Sequence, residues 1–67
     1  MNAAEFQNIR RSLGLSCKQF GRALGFAGTG KTIFKKITAI EDGREPIGPV
    51  TAEIARALAA PQEGRSN

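Results

Sequence analysis

The sequence predicts an all-α, compact domain of four helices, or five if a short turn adds one. Apolar residues recur at helical spacing in four segments, capping residues and glycines bound these segments, and no segment alternates polar and apolar residues as a half-buried strand does. The chain has 67 residues, which is enough for one small domain. We expect that domain over residues 1–60 and a disordered tail over residues 61–67.

The first two helices are predicted from their starts. Capping-box patterns, in which Glu or Gln follows a cap by three residues, begin at Asn2 and Ser16. The second helix is therefore expected over about residues 16–24. Gly21 lies in its middle, where glycine costs about 1 kcal/mol relative to alanine. A residue without a side chain at this position predicts that another helix crosses closely.

The third helix is expected to begin between residues 27 and 33, with Thr29 or Thr32 as its cap, and to extend to about Asp42. Three isoleucines form its apolar stripe at 100° per residue: Ile33, Ile37 and Ile40. The opposite side is basic and hydroxylated, with Lys31, Thr32, Lys35, Ala39 and Asp42 on it and Lys36 and Thr38 at its flanks. Such a helix buries one side and offers cations on the other.

The last helix is predicted to begin at Pro49, after a turn over residues 42–46. Proline suits the first helical position because the N–H that it lacks has no helical partner there. The apolar stripe that follows has the spacing i, i+4, i+8, at Val50, Ile54 and Leu58.

The charge of the chain is distributed unevenly. The formal net charge is +4, but residues 6–40 carry seven basic residues and no acidic one, whereas the remaining residues have a charge of −3. Such a basic window favours an anionic partner, such as nucleic acid or a lipid surface. The alternative is a solvated face without a partner. Segregation of the bases opposite the isoleucines of the third helix favours a binding surface.

Several classes of protein are disfavoured by composition. The single cysteine cannot form an internal disulfide, and the absence of histidine and the scattered carboxylates argue against a metal site. No apolar run approaches the roughly 20 residues of a membrane span, and the N-terminus lacks the layout of a signal peptide. We therefore expect a cytoplasmic protein that does not enter a membrane, has no cofactor and is not an enzyme.

Residues 25–32, Gly-Phe-Ala-Gly-Thr-Gly-Lys-Thr, satisfy the nucleotide-binding pattern G-x-x-x-x-G-K-[ST]. That chemistry requires a strand before the loop and a parallel sheet around it. The segment before Gly25 is predicted to be helical, and the chain is too short for several βαβ units of about 30 residues each. We therefore interpret Gly28 and Gly30 as turn and helix-entry residues and Lys31 as a surface cation.

Two stretches resemble a known family. Residues 13–25, Leu-Gly-Leu-Ser-Cys-Lys-Gln-Phe-Gly-Arg-Ala-Leu-Gly, resemble the opening of the Cro and phage-repressor (XRE-type) helix-turn-helix domain, and residues 40–46, Ile-Glu-Asp-Gly-Arg-Glu-Pro, resemble its closing segment. The resemblance spans residues 6–58. The connection between Gly25 and the third helix is longer than the family usually has. Small anti-CRISPR-associated repressors are similar in size and layout.

The resemblance and the basic face together imply binding to double-stranded DNA, with the third helix in the major groove. The expected base contacts are Lys31, Thr32, Lys35, Lys36, Thr38 and Ala39. The expected phosphate contacts are Ser16, Cys17, Lys18, Arg22, Thr29 and Arg44, with Arg10 and Arg11 as a further rim. The four phenylalanines, Phe6, Phe20, Phe26 and Phe34, are expected in the core, with Phe34 at the border of its stripe.

The resemblance also implies a homodimeric repressor of a phage or mobile-element operon that binds an inverted-repeat operator. The last helix is the expected interface, through Val50, Ala52, Ala55 and Ala59. Two alternatives remain open: an RNA-binding module for translational control, and an antitoxin-like protein that binds a protein partner. The chain has no Tyr or Trp for stacking on single-stranded RNA.

Overall fold

Four helices make up the part of the chain that the computed structural model describes, residues 1–60. They are α1 (Ala3–Ser12), α2 (Cys17–Ala23), α3 (Gly30–Glu41) and α4 (Pro49–Ala59). These residues contain no strand and no fifth helix, so the predicted all-α, four-helix fold is confirmed for them. The predicted tail over residues 61–67 lies outside the described residues.

Side chains at the helix starts explain where α1, α2 and α3 begin, whereas α4 begins at Pro49 without a side-chain cap. Asn2 and Ser16 cap α1 and α2 as predicted. Ser16 completes a capping box with Gln19 through bonds of 3.1 and 2.9 Å, whereas at Asn2 the bond from the N–H of Glu5 is the part of the predicted box that is present. The hydroxyl of Thr29 accepts a bond from the backbone N–H three residues later, so α3 begins at Gly30. Each cap satisfies a backbone donor that has no partner within its own helix.

The core lies where α1, α2 and α3 meet. The rings of Phe6 and Phe20 approach with centroids 5.0 Å apart and a tilt of 55°. Leu24, Ala55 and the three isoleucines of α3 complete the buried cluster, and Phe26 packs against it partly buried. The isoleucine stripe of α3 therefore faces the core as predicted.

Phe34 is not in the core, and its prediction as a core residue is wrong. Its side chain is 51% exposed. At 100° per residue it lies about 90° from the centre of the isoleucine stripe. The contacts of α1 and α2 lie on the side of α3 that carries the isoleucines, and within residues 1–60 the side that carries Phe34 is left largely to solvent.

The predicted dimer interface on α4 also needs correction. Ala52 and Ala55 are buried in the core of the chain itself, so they are not available to a second copy. Val50, the first residue of the predicted apolar stripe, is instead 67% exposed. The reason is packing, because α4 lies against α1 and its buried residues are Ala52 and Ala55. Ala59 is exposed, and its role and that of Val50 as interface residues stay predictions.

Candidate nucleic-acid interface

The position of α3 depends on a close contact with α2 at Gly21. A Cβ atom built on Gly21 would overlap Cγ2 of Ile33 and would lie 3.4 Å from Cγ1 of Ile37. Only glycine permits this approach without a shift, so the close crossing predicted from Gly21 is confirmed. The contact holds the apolar side of α3 on α2 and leaves the other side of α3 to solvent.

That outward side of α3 carries the residues predicted to contact bases. Lys31, Thr32, Lys35 and Lys36 are exposed, and Thr38 and Ala39 are half-buried. One row, at i, i+4 and i+7, consists of Lys31, Lys35 and Thr38. A second row with the same spacing consists of Thr32, Lys36 and Ala39. Residues with this spacing lie on one helix face, so each row can follow one line across a bound surface.

The three lysines of α3 are not equivalent. Lys36 forms an ion pair with Glu45, which lies in the turn after α3. Within residues 1–60, neither Lys31 nor Lys35 has an ion-pair partner. Lys31 and Lys35 are therefore the cations that α3 presents to an anion, whereas Lys36 would first have to leave Glu45.

The threonine hydroxyl groups of this region differ in what they can still donate. Thr38 donates to the carbonyl groups of Phe34 and Lys35, each at 3.0 Å, so its hydroxyl hydrogen is used within the helix. Thr29 caps α3 and also donates to the hydroxyl of Thr32 at 3.1 Å. Of the three, Thr32 retains a hydroxyl hydrogen without a partner in the described part of the chain, which suits a base or phosphate oxygen.

The residues predicted to contact phosphates lie at the start of α2 and beside it. Ser16 and Cys17 mark that start, and Lys18 and Arg22 are exposed on α2. The aliphatic part of the Lys18 side chain packs against Gly30, the first residue of α3. A Cβ atom built on Gly30 would lie 2.7 Å from Cδ of Lys18. Arg44 pairs with Asp42 at 3.1 Å, and both are exposed. Such an exposed pair contributes about 1 kcal/mol at most, so Arg44 can exchange it for a phosphate.

Arg10, predicted as a further rim residue, is paired within the fold instead. Its Nε lies 2.6 Å from Oε2 of Glu41, and its Nη1 donates to the carbonyl of Leu15 at 3.0 Å. Gln7 donates to the same carboxylate at 3.2 Å. The hydrogen bond to Glu41 raises the pKa of Arg10. Arg10 therefore joins α1 to the end of α3, while Arg11 remains exposed.

The glycine-rich segment forms the turn between α2 and α3. The residues before it are helical, as predicted, rather than the strand that a phosphate-binding loop requires. Gly25 and Gly28 adopt positive φ angles of 91° and 116°, which favour glycine. Gly30 already belongs to α3. The segment thus connects two helices.

Cys17 is expected to be less reactive than an ordinary surface cysteine. Burial raises the pKa of its thiol, and the opposing effect of the Arg10 charge is smaller. Because the thiolate is the nucleophile, iodoacetamide should alkylate Cys17 at pH 8 more slowly than it alkylates a cysteine in an unstructured peptide. The rise of the alkylation rate with pH should be displaced to higher pH. Urea should restore the ordinary rate. Equal rates for the folded and unfolded chains would contradict this expectation.

The chain matches no family model, no curated protein and no solved structure. Among residues 1–60, no helix combines the length and apolar character needed to cross a membrane. In the same range, no three His, Cys, Asp or Glu side chains come together as a metal site would require. The arrangement of charge on α2 and α3 is thus the feature from which a function is inferred.

Proposed function

We propose that the protein is a DNA-binding transcriptional regulator that recognises a specific sequence through α3. One observation carries the proposal: Lys31 and Lys35 extend from the exposed side of α3 without ion-pair partners among residues 1–60, while the other side is held against α2 at Gly21. A short helix, a turn and a longer basic helix are also the parts of a helix-turn-helix. A regulator of this kind acts in the cytoplasm and needs no catalytic group.

The major groove of DNA is the surface that such a helix fits. It is about 12 Å wide, and an α-helix with its side chains has a diameter of about 10–12 Å. Lysine ammonium groups donate to O6 and N7 of guanine, and a threonine hydroxyl can donate or accept. We propose that Lys31, Lys35 and Thr32 make such contacts and that Lys18, Arg22 and Arg44 contact the phosphates.

A single domain presents one α3 and so reads one half-site. We propose a homodimer on an inverted repeat whose half-sites are about 34 Å apart, one turn of the duplex, as in phage-type repressors. The exposed Val50 at the start of α4 is a candidate contact between copies. The regulated gene would then belong to a phage or mobile-element operon, in keeping with the resemblance of residues 13–25 and 40–46 to that family.

RNA binding is a second candidate because Phe34 is exposed, and exposed aromatic side chains can stack on unpaired bases. One exposed ring is a small platform for this purpose. Competition between a duplex and an RNA hairpin for the same protein separates the two functions. We expect the duplex to displace the hairpin and the hairpin to displace the duplex only weakly.

Selection of bound sequences from random duplex DNA tests the proposal. We expect enrichment of a common motif arranged as an inverted repeat. The variant Lys35→Ala should lose about 10- to 100-fold of its discrimination at one position of each half-site, since one good base contact is worth about 1–3 kcal/mol. Arg56→Ala is the matched control, because it removes the same charge from an exposed position on α4. Equal losses in both variants, or no enriched motif, would contradict the proposal.

A further inference from the structure

Phe34 is the unusual residue of the basic side of α3. Among the described residues, Phe34 and Val50 are the exposed large hydrophobic residues. Half of the Phe34 side chain faces water within a helix whose other large apolar residues are all buried. A single exposed apolar side chain is ordinary on a protein surface. What marks Phe34 is that its ring lies on the same side of α3 as Lys31 and Lys35, which have no ion-pair partner among residues 1–60.

The neighbours of Phe34 indicate the charge of a partner that would cover it. Lys31 precedes it by three residues and Thr38 follows it by four, so both lie on the same helix face, with Lys35 directly adjacent in sequence. A partner that covers the ring must also accept two unpaired ammonium groups. A second copy bound through the same face would bring lysines against lysines across a two-fold axis, which is repulsive. A polyanion satisfies both requirements.

We infer that Phe34 contacts the 5-methyl group of a thymine in the major groove and so determines part of the sequence that the protein binds. This inference rests on the proposed function. The thymine methyl is the apolar group that base pairs offer in the major groove, and phenylalanine is among the side chains that contact it. Lysine ammonium groups favour guanine, so a contact to the methyl group would add recognition of an A·T pair.

The geometry of the helix limits where that thymine lies. With a rise of about 1.5 Å per residue, Phe34 is about 4.5 Å along α3 from Lys31 and about 1.5 Å from Lys35. Successive base pairs are about 3.4 Å apart. The thymine is therefore expected within one or two base pairs of a guanine that Lys31 or Lys35 contacts, on either strand.

Removal of single methyl groups from the DNA tests the inference. In the duplex obtained by selection, each thymine is replaced in turn by deoxyuridine, which lacks only the 5-methyl group. The wild-type protein should lose about four-fold in affinity at one position of each half-site, the value expected for one buried methyl group. Substitutions at the other thymines should have little effect.

Two variants assign this loss to Phe34. Phe34→Ala should bind the thymine and deoxyuridine duplexes equally, whereas Phe34→Leu, which keeps an apolar side chain, should retain part of the difference. Because the ring is exposed, both variants should melt within a few degrees of the wild type, which circular dichroism checks. A melting temperature far below that value would show that the ring supports the fold instead and would overturn the inference.

The possible failures are distinguishable. If selection enriches no duplex, the proposed function fails, and the inference fails with it. If a duplex is enriched but Phe34→Ala keeps the full sensitivity to methyl removal, or no thymine shows sensitivity, the assignment of Phe34 alone is wrong. If Phe34→Ala loses binding to an RNA hairpin and not to the duplex, the ring stacks on an unpaired base, and the thymine contact is overturned.

Discussion

Replacement of Gly21 by valine is expected to lower the free energy of unfolding by about 3 kcal/mol or more. Small insertions into a close-packed core cost about 1–3 kcal/mol, and valine adds three carbon atoms. The first of these atoms would overlap Cγ2 of Ile33, which is itself buried between α2 and α3. A domain of this size has few kcal/mol to lose. Urea denaturation followed by circular dichroism measures the change.

A double-mutant cycle identifies the contact as the cause. Gly21→Ala gains about 1 kcal/mol of helix propensity but should still destabilise the protein, because its Cβ meets the same methyl group. Ile33→Leu moves the branch away from Cβ of residue 33. The double variant Gly21→Ala, Ile33→Leu should therefore be more stable than the sum of the single changes predicts, by about 1 kcal/mol. Strict additivity would show that the two residues do not oppose each other.

Removal of the Glu41 carboxylate has the second large expected effect. Arg10 and Glu41 are 17% and 6% exposed, so Glu41→Ala leaves a mostly buried guanidinium without its counter-ion. Loss of one partner of a buried pair costs about 3–5 kcal/mol, and the remaining bond from Arg10 to Leu15 reduces the expected loss to about 2–3 kcal/mol. Chemical denaturation measures this loss as a lower transition midpoint.

Glu45→Ala is the matched control for Glu41→Ala. It also removes one carboxylate from an ion pair, but the pair with Lys36 is much more exposed, so the cost should be below about 1 kcal/mol. Equal losses for the two variants would contradict the role given to Glu41.

The Arg10–Glu41 pair also predicts how stability depends on pH. The pKa of Arg10 is raised, so the contribution of Arg10 to the free energy of unfolding is complete below the ordinary pKa of arginine and is lost only at still higher pH. The Arg10 contribution should therefore be unchanged between about pH 6 and 9.

The helix boundaries were predictable because local chemistry sets them. Ser16 was predicted as a cap, and Thr29 was one of the two caps predicted for α3. Both accept bonds from backbone N–H groups three positions away. The close crossing at Gly21 was predictable for a similar reason, since glycine inside a helix is costly unless a neighbour requires the space. Each of these features depends on residue type at one position or on a short spacing.

Which side of a helix is covered was harder to predict. Phe34 lies at the border of its apolar stripe and Val50 is the first residue of another, and both are exposed, because coverage depends on neighbours distant in sequence. The pairing of Arg10 with Glu41 joins residues separated by 31 positions. No local pattern indicates such a contact. Helical periodicity did place Lys31 and Lys35 opposite the isoleucines. This part of the candidate interface was predictable because it depends on the geometry of α3 alone and not on its neighbours.

The affinity of the wild-type protein for two duplexes of identical composition tests the central claim most directly. One duplex carries the selected sequence and the other a shuffled version, and fluorescence anisotropy is measured at about 150 mM salt, near physiological ionic strength. We expect binding at least about 10³-fold tighter to the selected duplex, since affinities for specific sites exceed those for non-specific DNA by about 10³–10⁷. Equal affinity for the two duplexes would contradict sequence-specific recognition through α3.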